Sequence, residues 1–377
     1  MTDARGTTRH EAGALRLEDL DYDLPGELVA QSAVEPRDAS RLLVYRRESG
    51  AVEDHVFSGL PGLLRAGDVL VRNDTRVFPA RAFFRRATGG RIEALFLRPA
   101  AGAPSNDAGR DEAWEVILRG RPRPGETLTG EGLAGTWPLV CERPFGDGRW
   151  LVVSRGDRPV LDLLGTAGVT PLPPYIHEAL EDPERYQTTY ARVTGSAAAP
   201  TAGLHFTADL DEALTDAGVA VETVTLHVGL GTFKPLQAES LAADRLHGEA
   251  YEVSAGVWAR LRAARAQGRR IIAVGTTSMR TLEHLARTAP DRDEAPGPSS
   301  SGAAGSRILR GDTTLFITPG FEFRAVDALI TNFHLPRTSL LALVMAFCGV
   351  EETRRLYRHA VDERYRFYSF GDAMLAL

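Results

Sequence analysis

Between Val77 and Val153 the chain carries five short β-like runs: Val77 to Phe84, Ile92 to Leu97, Trp114 to Leu118, Trp137 to Cys141 and Trp150 to Val153. Glycine- or proline-bearing turns separate them, with little helical periodicity between, so this stretch reads as a small barrel or sandwich. The flanks differ. Upstream, Leu42 to Tyr45, Val52 to Phe57 and Asp68 to Val71 are strand-like. Downstream, Ser254 caps a helix with Val257, Leu261 and Ala264 at helical spacing, and Gly268 marks its end. Arg270 to Gly275 is then a continuous apolar strand, followed by a hydroxyl cluster at Thr276, Thr277 and Ser278 and a helix through Arg280, Leu282, Glu283 and Leu285. Thr314 to Ile317 and Ala328 to Thr331 read as further strands, and Leu340 to Cys348 as a buried helix. The expected fold class is α/β: an α/β domain built from both chain ends (16–75 and 168–377) with an inserted small β-barrel domain (76–167). Residues 1–15 are expected as a disordered tail, Ala100 to Arg110 as a surface loop and Pro290 to Ser306 as a flexible insertion.

Charge narrows the function. A net charge of -6 and a pI near 5.9 argue against broad, sequence-blind nucleic-acid binding, which depends on surplus cations. Yet nine arginines face five acidic residues between Arg81 and Arg123, and Arg354, Arg355, Arg358, Arg364 and Arg366 crowd the C-terminus. Local patches of that kind can hold an RNA by shape and phosphate, although charge alone favours solvated faces. No apolar run reaches the ~20 residues of a membrane helix, and the N-terminus lacks the apolar core of a secretory signal. Two cysteines make no framework, so a cytoplasmic protein is expected.

Two glycine-flanked histidines carry the strongest chemical signal. His205 lies in Pro200-Thr201-Ala202-Gly203-Leu204-His205-Phe206-Thr207, and His227 in Thr225-Leu226-His227-Val228-Gly229-Leu230-Gly231-Thr232. Gly203, Gly229 and Gly231 allow close ligand approach, while imidazoles titrate near neutral pH. The spacing fits two hydrogen-bonded core histidines as readily as a site. The strand, glycine and hydroxyls at Thr276 to Ser278 form the layout that offers N–H groups and hydroxyls to a polar ligand. Other chemistries lack their motifs: Gly229-Leu230-Gly231 has no third glycine for a dinucleotide turn, no Walker-type Gly-Lys-Ser/Thr occurs, and His247-Gly248-Glu249 lacks the paired cysteines of a zinc deaminase. No metal site and no serine-hydrolase elbow are expected.

Taken together, the motifs resemble the S-adenosylmethionine:tRNA ribosyltransferase-isomerase family of queuosine biosynthesis, from about Tyr22 to Met374. The matching segments include Asn73 to Arg81, Pro171 to Ile176, Tyr186 to Thr188, Ala199 to Phe206 and Val224 to Phe233. They continue through His247 to Glu249, Ala273 to Ser278, Pro319 to Phe321, Leu329 to Pro336 and Tyr365 to Met374. The resemblance implies an α/β domain carrying a β-barrel, with S-adenosylmethionine as substrate and no permanently bound cofactor. It implies transfer of the ribosyl part of S-adenosylmethionine to the 7-aminomethyl-7-deazaguanine base in tRNA, its isomerisation to the epoxycyclopentane of epoxyqueuosine, and departure of adenine and methionine. On that reading His205, His227 and His334 are candidate bases for a proton beside the sulfonium, and a histidine, Glu249 or Asp372 the donor to departing adenine. Gly203, Gly229, Gly231, Thr276, Thr277, Ser278 and Asn332 are candidates for holding S-adenosylmethionine, and Arg76, Arg81, Arg85 and Arg86 for meeting tRNA. A monomer without membrane attachment is expected. Asp74 departs from the family, standing where asparagine is usual. A relative acting on a free small molecule, or a non-catalytic RNA-binding protein, are the alternatives.

Overall fold

The structure, a computed structural model, describes residues 15–100, 111–133, 135–178, 180–229, 236, 245–289 and 307–377. The expected tail, loop and insertion fall outside these residues apart from Leu15 and Ala100, as does Gly231. The strands in chain order begin with β1 (Arg41–Arg46), β2 (Ala51–Val56), β3 (Val69–Asn73), β4 (Thr75–Val77), β5 (Arg81–Arg86) and β6 (Arg91–Pro99). Next come β7 (Glu112–Arg119), β8 (Thr127–Gly130), β9 (Pro138–Gly146), β10 (Arg149–Ser154), β11 (Val193–Ser196) and β12 (Ala220–Leu226). The last are β13 (Glu249–Ser254), β14 (Ile271–Val274), β15 (Ile308–Thr313), β16 (Ala328–Asn332) and β17 (Ala373–Ala376). They belong to two compact units, one of Met1–Asn73, Thr201–Val224 and Gly231–Leu377, the other of Asp74–Pro200 and Thr225–Leu230.

The first unit is built on a nine-stranded sheet of order β15-β13-β12-β3-β14-β16-β17-β1-β2. Its centre is parallel: β12 pairs with β3, β3 with β14 and β14 with β16 in the same direction. Every residue of β3, β14 and β16 is buried, as expected where apolar runs such as Ile271-Ile272-Ala273-Val274 are covered on both faces. The parallel register brings the carboxyl ends of these strands to one edge, at Asn73, Val274 and Asn332. Open α/β sheets bind ligands at that edge. The helix Gly275–Thr288 leaves β14 directly and is buried from Gly275 to Glu283. Glu283 is fully buried and accepts the N–H groups of Arg324, Ala325 and Val326, which fixes the approach to β16.

The second unit contains a closed antiparallel barrel of order β10-β7-β6-β5-β8-β9. Strand alternation drives its core: Ile92, Ala94 and Phe96 of β6 are buried, and Glu93 between them is not. Trp137 packs on Phe84 and Phe96 with centroids 4.9 and 5.5 Å apart, and its indole N–H donates to Ser154 Oγ at 3.0 Å. The helix Val160–Ala167 contributes Val160, Leu163 and Leu164 to the same core.

Four local expectations change. The run expected over Val77 to Phe84 is two strands, because Pro79, lacking an N–H, falls between β4 and β5. Thr314 to Ile317 is not a strand: β15 ends at Thr313, and Phe316 and Ile317 are buried from an irregular segment. Being an edge strand with mostly exposed residues, β15 has no apolar run to betray it. Ser254 is the N-cap of Ala255–Ala266, but its hydroxyl makes no capping bond. Strands β8, β11, β12, β13 and β17 went unanticipated, while Leu340 to Cys348 lies in the buried helix Ser339–Cys348.

Candidate functional site

His205 closes the 3-10 turn Thr201–His205 in the first unit. Thr201 Oγ1 donates to Asn332 Oδ1 at 2.9 Å, which fixes the Asn332 amide, and Asn332 Nδ2 then donates to His205 Nε2 at 3.2 Å. With Nε2 accepting, the ring proton sits on Nδ1 and donates to Ser40 Oγ at 2.7 Å. Phe57 stacks on the ring at 4.9 Å between centroids. Burial, reinforced by Arg37 and Arg366, holds the His205 pKa down at about 3. His205 is therefore a neutral imidazole with both nitrogens engaged.

His334 is comparable. Its Nε2 meets Thr331 Oγ1 at 2.7 Å, its backbone N–H donates to Tyr357 Oη at 3.0 Å, and burial lowers its pKa to about 3. Asp372 accepts the backbone N–H groups of Arg41 at 2.9 Å and Arg366 at 2.7 Å. Burial raises its pKa, so this carboxyl is costly to keep charged, and the two N–H bonds offset part of that cost.

The start of the helix Gly275–Thr288 lies beside the His205 turn. Gly275 has φ +86°, and a Cβ there would stand 3.6 Å from both Ala202 Cβ and Thr277 Oγ1. Val274, the N-cap residue, offers no side-chain cap, and Ser278 Oγ donates back to Val274 O at 2.8 Å. Thr276 is 6% and Thr277 7% exposed, and Thr277 Oγ1 has no hydrogen-bond partner. One turn on, Arg280 is paired through Nη1 with Glu249 and donates from Nε to Leu315 O at 3.1 Å, while its Nη2 is buried without a partner. Gly275 is thus called for by its left-handed backbone rather than by space, since a Cβ there would make only ordinary contacts. Gly203 lies in an ordinary 3-10 turn, and Gly229 has no neighbour within 4 Å of an added Cβ.

His227 belongs to the second unit. Its Nδ1 meets Thr75 Oγ1 at 2.8 Å, and its ring lies against Gly195, where a Cβ would come within 2.5–2.8 Å of three ring atoms. Unlike His205 and His334 it is partly exposed. Asp74 is buried, accepting from Thr225 Oγ1 at 2.6 Å and from Arg192 Nη2 at 2.8 Å, so its charge has a local counterion. The nominated arginines are all paired: Arg76 with Glu184, Arg81 with Glu93 at 3.3 Å, Arg85 with Glu131 at 2.7 Å, and Arg86 with both oxygens of Glu126 at 2.6 and 2.8 Å. Arg85, with a 61% exposed side chain, is the least confined of them.

The structure thus gathers His205, Asn332 and Thr201 with Ser40 at one point, and places His227 on Thr75 and Gly195 at another. Ser40 and Gly195 lie outside the motifs, and Thr75, within the Asn73 to Arg81 segment, carries no expected role; Gly195 offers no signal but its missing Cβ. An α/β sheet with uncapped polar groups at the carboxyl ends of its parallel strands, joined in one chain to a closed barrel, defines the class. The chain belongs to the queuosine biosynthesis protein family, whose model matches residues 17–376. It is 50% identical over 368 residues to S-adenosylmethionine:tRNA ribosyltransferase-isomerase of Symbiobacterium thermophilum, covering 96% of this chain and all of the relative. The enzyme of the same name from Rubrobacter xylanophilus is 49% identical, with 96% and 98% covered. The crystal structure of S-adenosylmethionine tRNA ribosyltransferase from Thermotoga maritima is similar with a TM-score of 0.53 and 36% identity, covering 95% of this chain and all of that one. Among the described residues no helix is long and apolar enough to cross a membrane.

Proposed function

We infer that this chain transfers the ribosyl part of S-adenosylmethionine to tRNA and isomerises it, acting on the 7-aminomethyl-7-deazaguanine base to give epoxyqueuosine. The single observation that carries this reading is likeness along the whole chain to enzymes of that name, at 50% identity. The chemistry asks for a base to take a proton beside the sulfonium, a donor of a proton to departing adenine, and a seat for the amino-acid end of the substrate. His227 is assigned the proton transfers, since it is a partly exposed imidazole held in one place by Thr75 and Gly195. His205 and Asn332 act as a neutral, preorganised pair that orients the substrate rather than as a base, since Nε2 already accepts a bond. His334 and Asp372 hold the backbone around them. S-adenosylmethionine enters at the carboxyl ends of β14 and β16, its polar end toward Thr276 to Ser278. Arg85 is the foremost contact for tRNA phosphate, with Arg76, Arg81 and Arg86 behind it, and the enzyme works as a monomer in the cytoplasm.

The test is incubation of the full chain with S-adenosylmethionine and tRNA carrying the aminomethyl base, following adenine. Release that requires the modified tRNA is expected. Release driven equally by the free base would transfer the reading to a small-molecule acceptor, and binding of tRNA with no release under any condition would leave only an RNA-binding protein.

A further inference from the structure

A helix start that is buried usually finds a capping side chain, because its first N–H groups have no partner within the helix. The start of Gly275–Thr288 has none: Val274 cannot cap, and Ser278 turns back to Val274 O. Two further polar atoms are left over on the same face. Thr277 Oγ1 and Arg280 Nη2 are both buried and without partners, and residues three apart on a helix are surface neighbours. Thr277 Oγ1 is turned toward the helix start, 3.6 Å from where a Gly275 Cβ would stand. Leaving a buried donor of a charged group unsatisfied is costly, and native interiors rarely do so without a ligand.

The charges define the ligand. Arg280 is neutralised by Glu249, so the pair as a whole carries no net charge and does not suit a doubly charged phosphate. It suits a zwitterion, with a carboxylate on Arg280 Nη2, Thr277 Oγ1 and the helix N–H groups, and an ammonium beside Glu249. We propose that Thr277 and Arg280, supported by Glu249, form the seat for the α-amino-acid end of the substrate, and that this seat, more than the adenosine, distinguishes S-adenosylmethionine from adenosyl compounds that lack an amino-acid end. The assignment rests on the reading of S-adenosylmethionine as substrate.

The experiment is titration calorimetry of the full chain with S-adenosylmethionine and with 5′-methylthioadenosine, which lacks the amino-acid end and the sulfonium charge, so that the variants' separate effects on the two ligands isolate the seat. The wild type is expected to bind S-adenosylmethionine more tightly. Thr277→Val is nearly isosteric and removes a hydroxyl with no protein partner, so its thermal midpoint should be kept while S-adenosylmethionine binds about 10-fold more weakly. Arg280→Met alone would strand the buried Glu249 carboxylate, so Arg280→Met is combined with Glu249→Gln. That pair should weaken S-adenosylmethionine about 100-fold and leave 5′-methylthioadenosine unchanged. Equal losses for both ligands, or no loss for S-adenosylmethionine in either variant, would overturn the seat. So would a wild type that binds the two equally, although the substrate reading would then stand. A wild type that binds neither ligand would overturn the substrate reading and the seat with it.

Discussion

His205 and His227 sit in similar glycine-bearing sequences and in dissimilar surroundings. His205 is enclosed by Ser40, Asn332 and Phe57 and kept neutral by burial, while His227 is only partly buried, resting on Gly195 with the Thr75 hydroxyl at Nδ1. A histidine motif therefore fixes neither role. What separates the two imidazoles is how deeply the fold buries each ring and how much water reaches it.

The difference is broken most sharply by removing each ring. His227→Ala is expected to lower single-turnover adenine release about 100-fold or more, because loss of a general acid–base group costs that much, and to lower the thermal midpoint less than the same change at fully buried His205. Gly195→Ala keeps the imidazole but forces it aside. Turnover should fall about 10-fold or more with the KM for S-adenosylmethionine unchanged, since misplacing a reacting group by about an ångström is that expensive. His205→Ala should behave oppositely, destabilising the fold by about 2–4 kcal/mol in denaturant unfolding, because a buried cavity opens and Asn332 Nδ2 loses its acceptor.

Acid sharpens the same contrast. The folded-state pKa values of His205 and His334 are lowered from the ordinary 6.5 to about 3, so between those values the unfolded chain binds protons that the folded chain does not. Their contribution is fully present above pH 6.5 and is lost as pH falls toward 3, at up to about 1.4 kcal/mol per pH unit for each ring. His205→Gln should reduce that slope by up to one proton, and His334→Gln by as much. The smallest effect is expected on the barrel. Arg85→Ala should flatten the log-log salt dependence of tRNA binding by up to ~1, and Arg86→Ala by less, as Glu126 already holds both of its contacts.

Much of the fold was legible because it is written in periodicities. Alternation along β6 and the apolar run of β14 announce themselves, and the change from one pattern to the other marks the barrel strands. Edge and short strands such as β15 and β8 do not, since neither needs a long apolar face. At the candidate site the residue types were legible and their commitments were not. Thr276, Thr277 and Ser278 look alike in sequence, yet Ser278 is spent on Val274 O while Thr277 is left open. The arginines looked free until their carboxylate partners, some forty residues away in the chain for Arg85 and Arg86, came into place at the two ends of the neighbouring strand β8. Nothing near Asp74 in the chain reveals what meets its charge, which is Arg192, 118 residues along.

Single-turnover adenine release, measured across pH for the wild type, His205→Gln and His227→Gln with S-adenosylmethionine and the modified tRNA, probes the division of labour directly. The expected result is a pH inflection present in the wild type and in His205→Gln, and absent in His227→Gln. An inflection that survives His227→Gln and disappears in His205→Gln would contradict it.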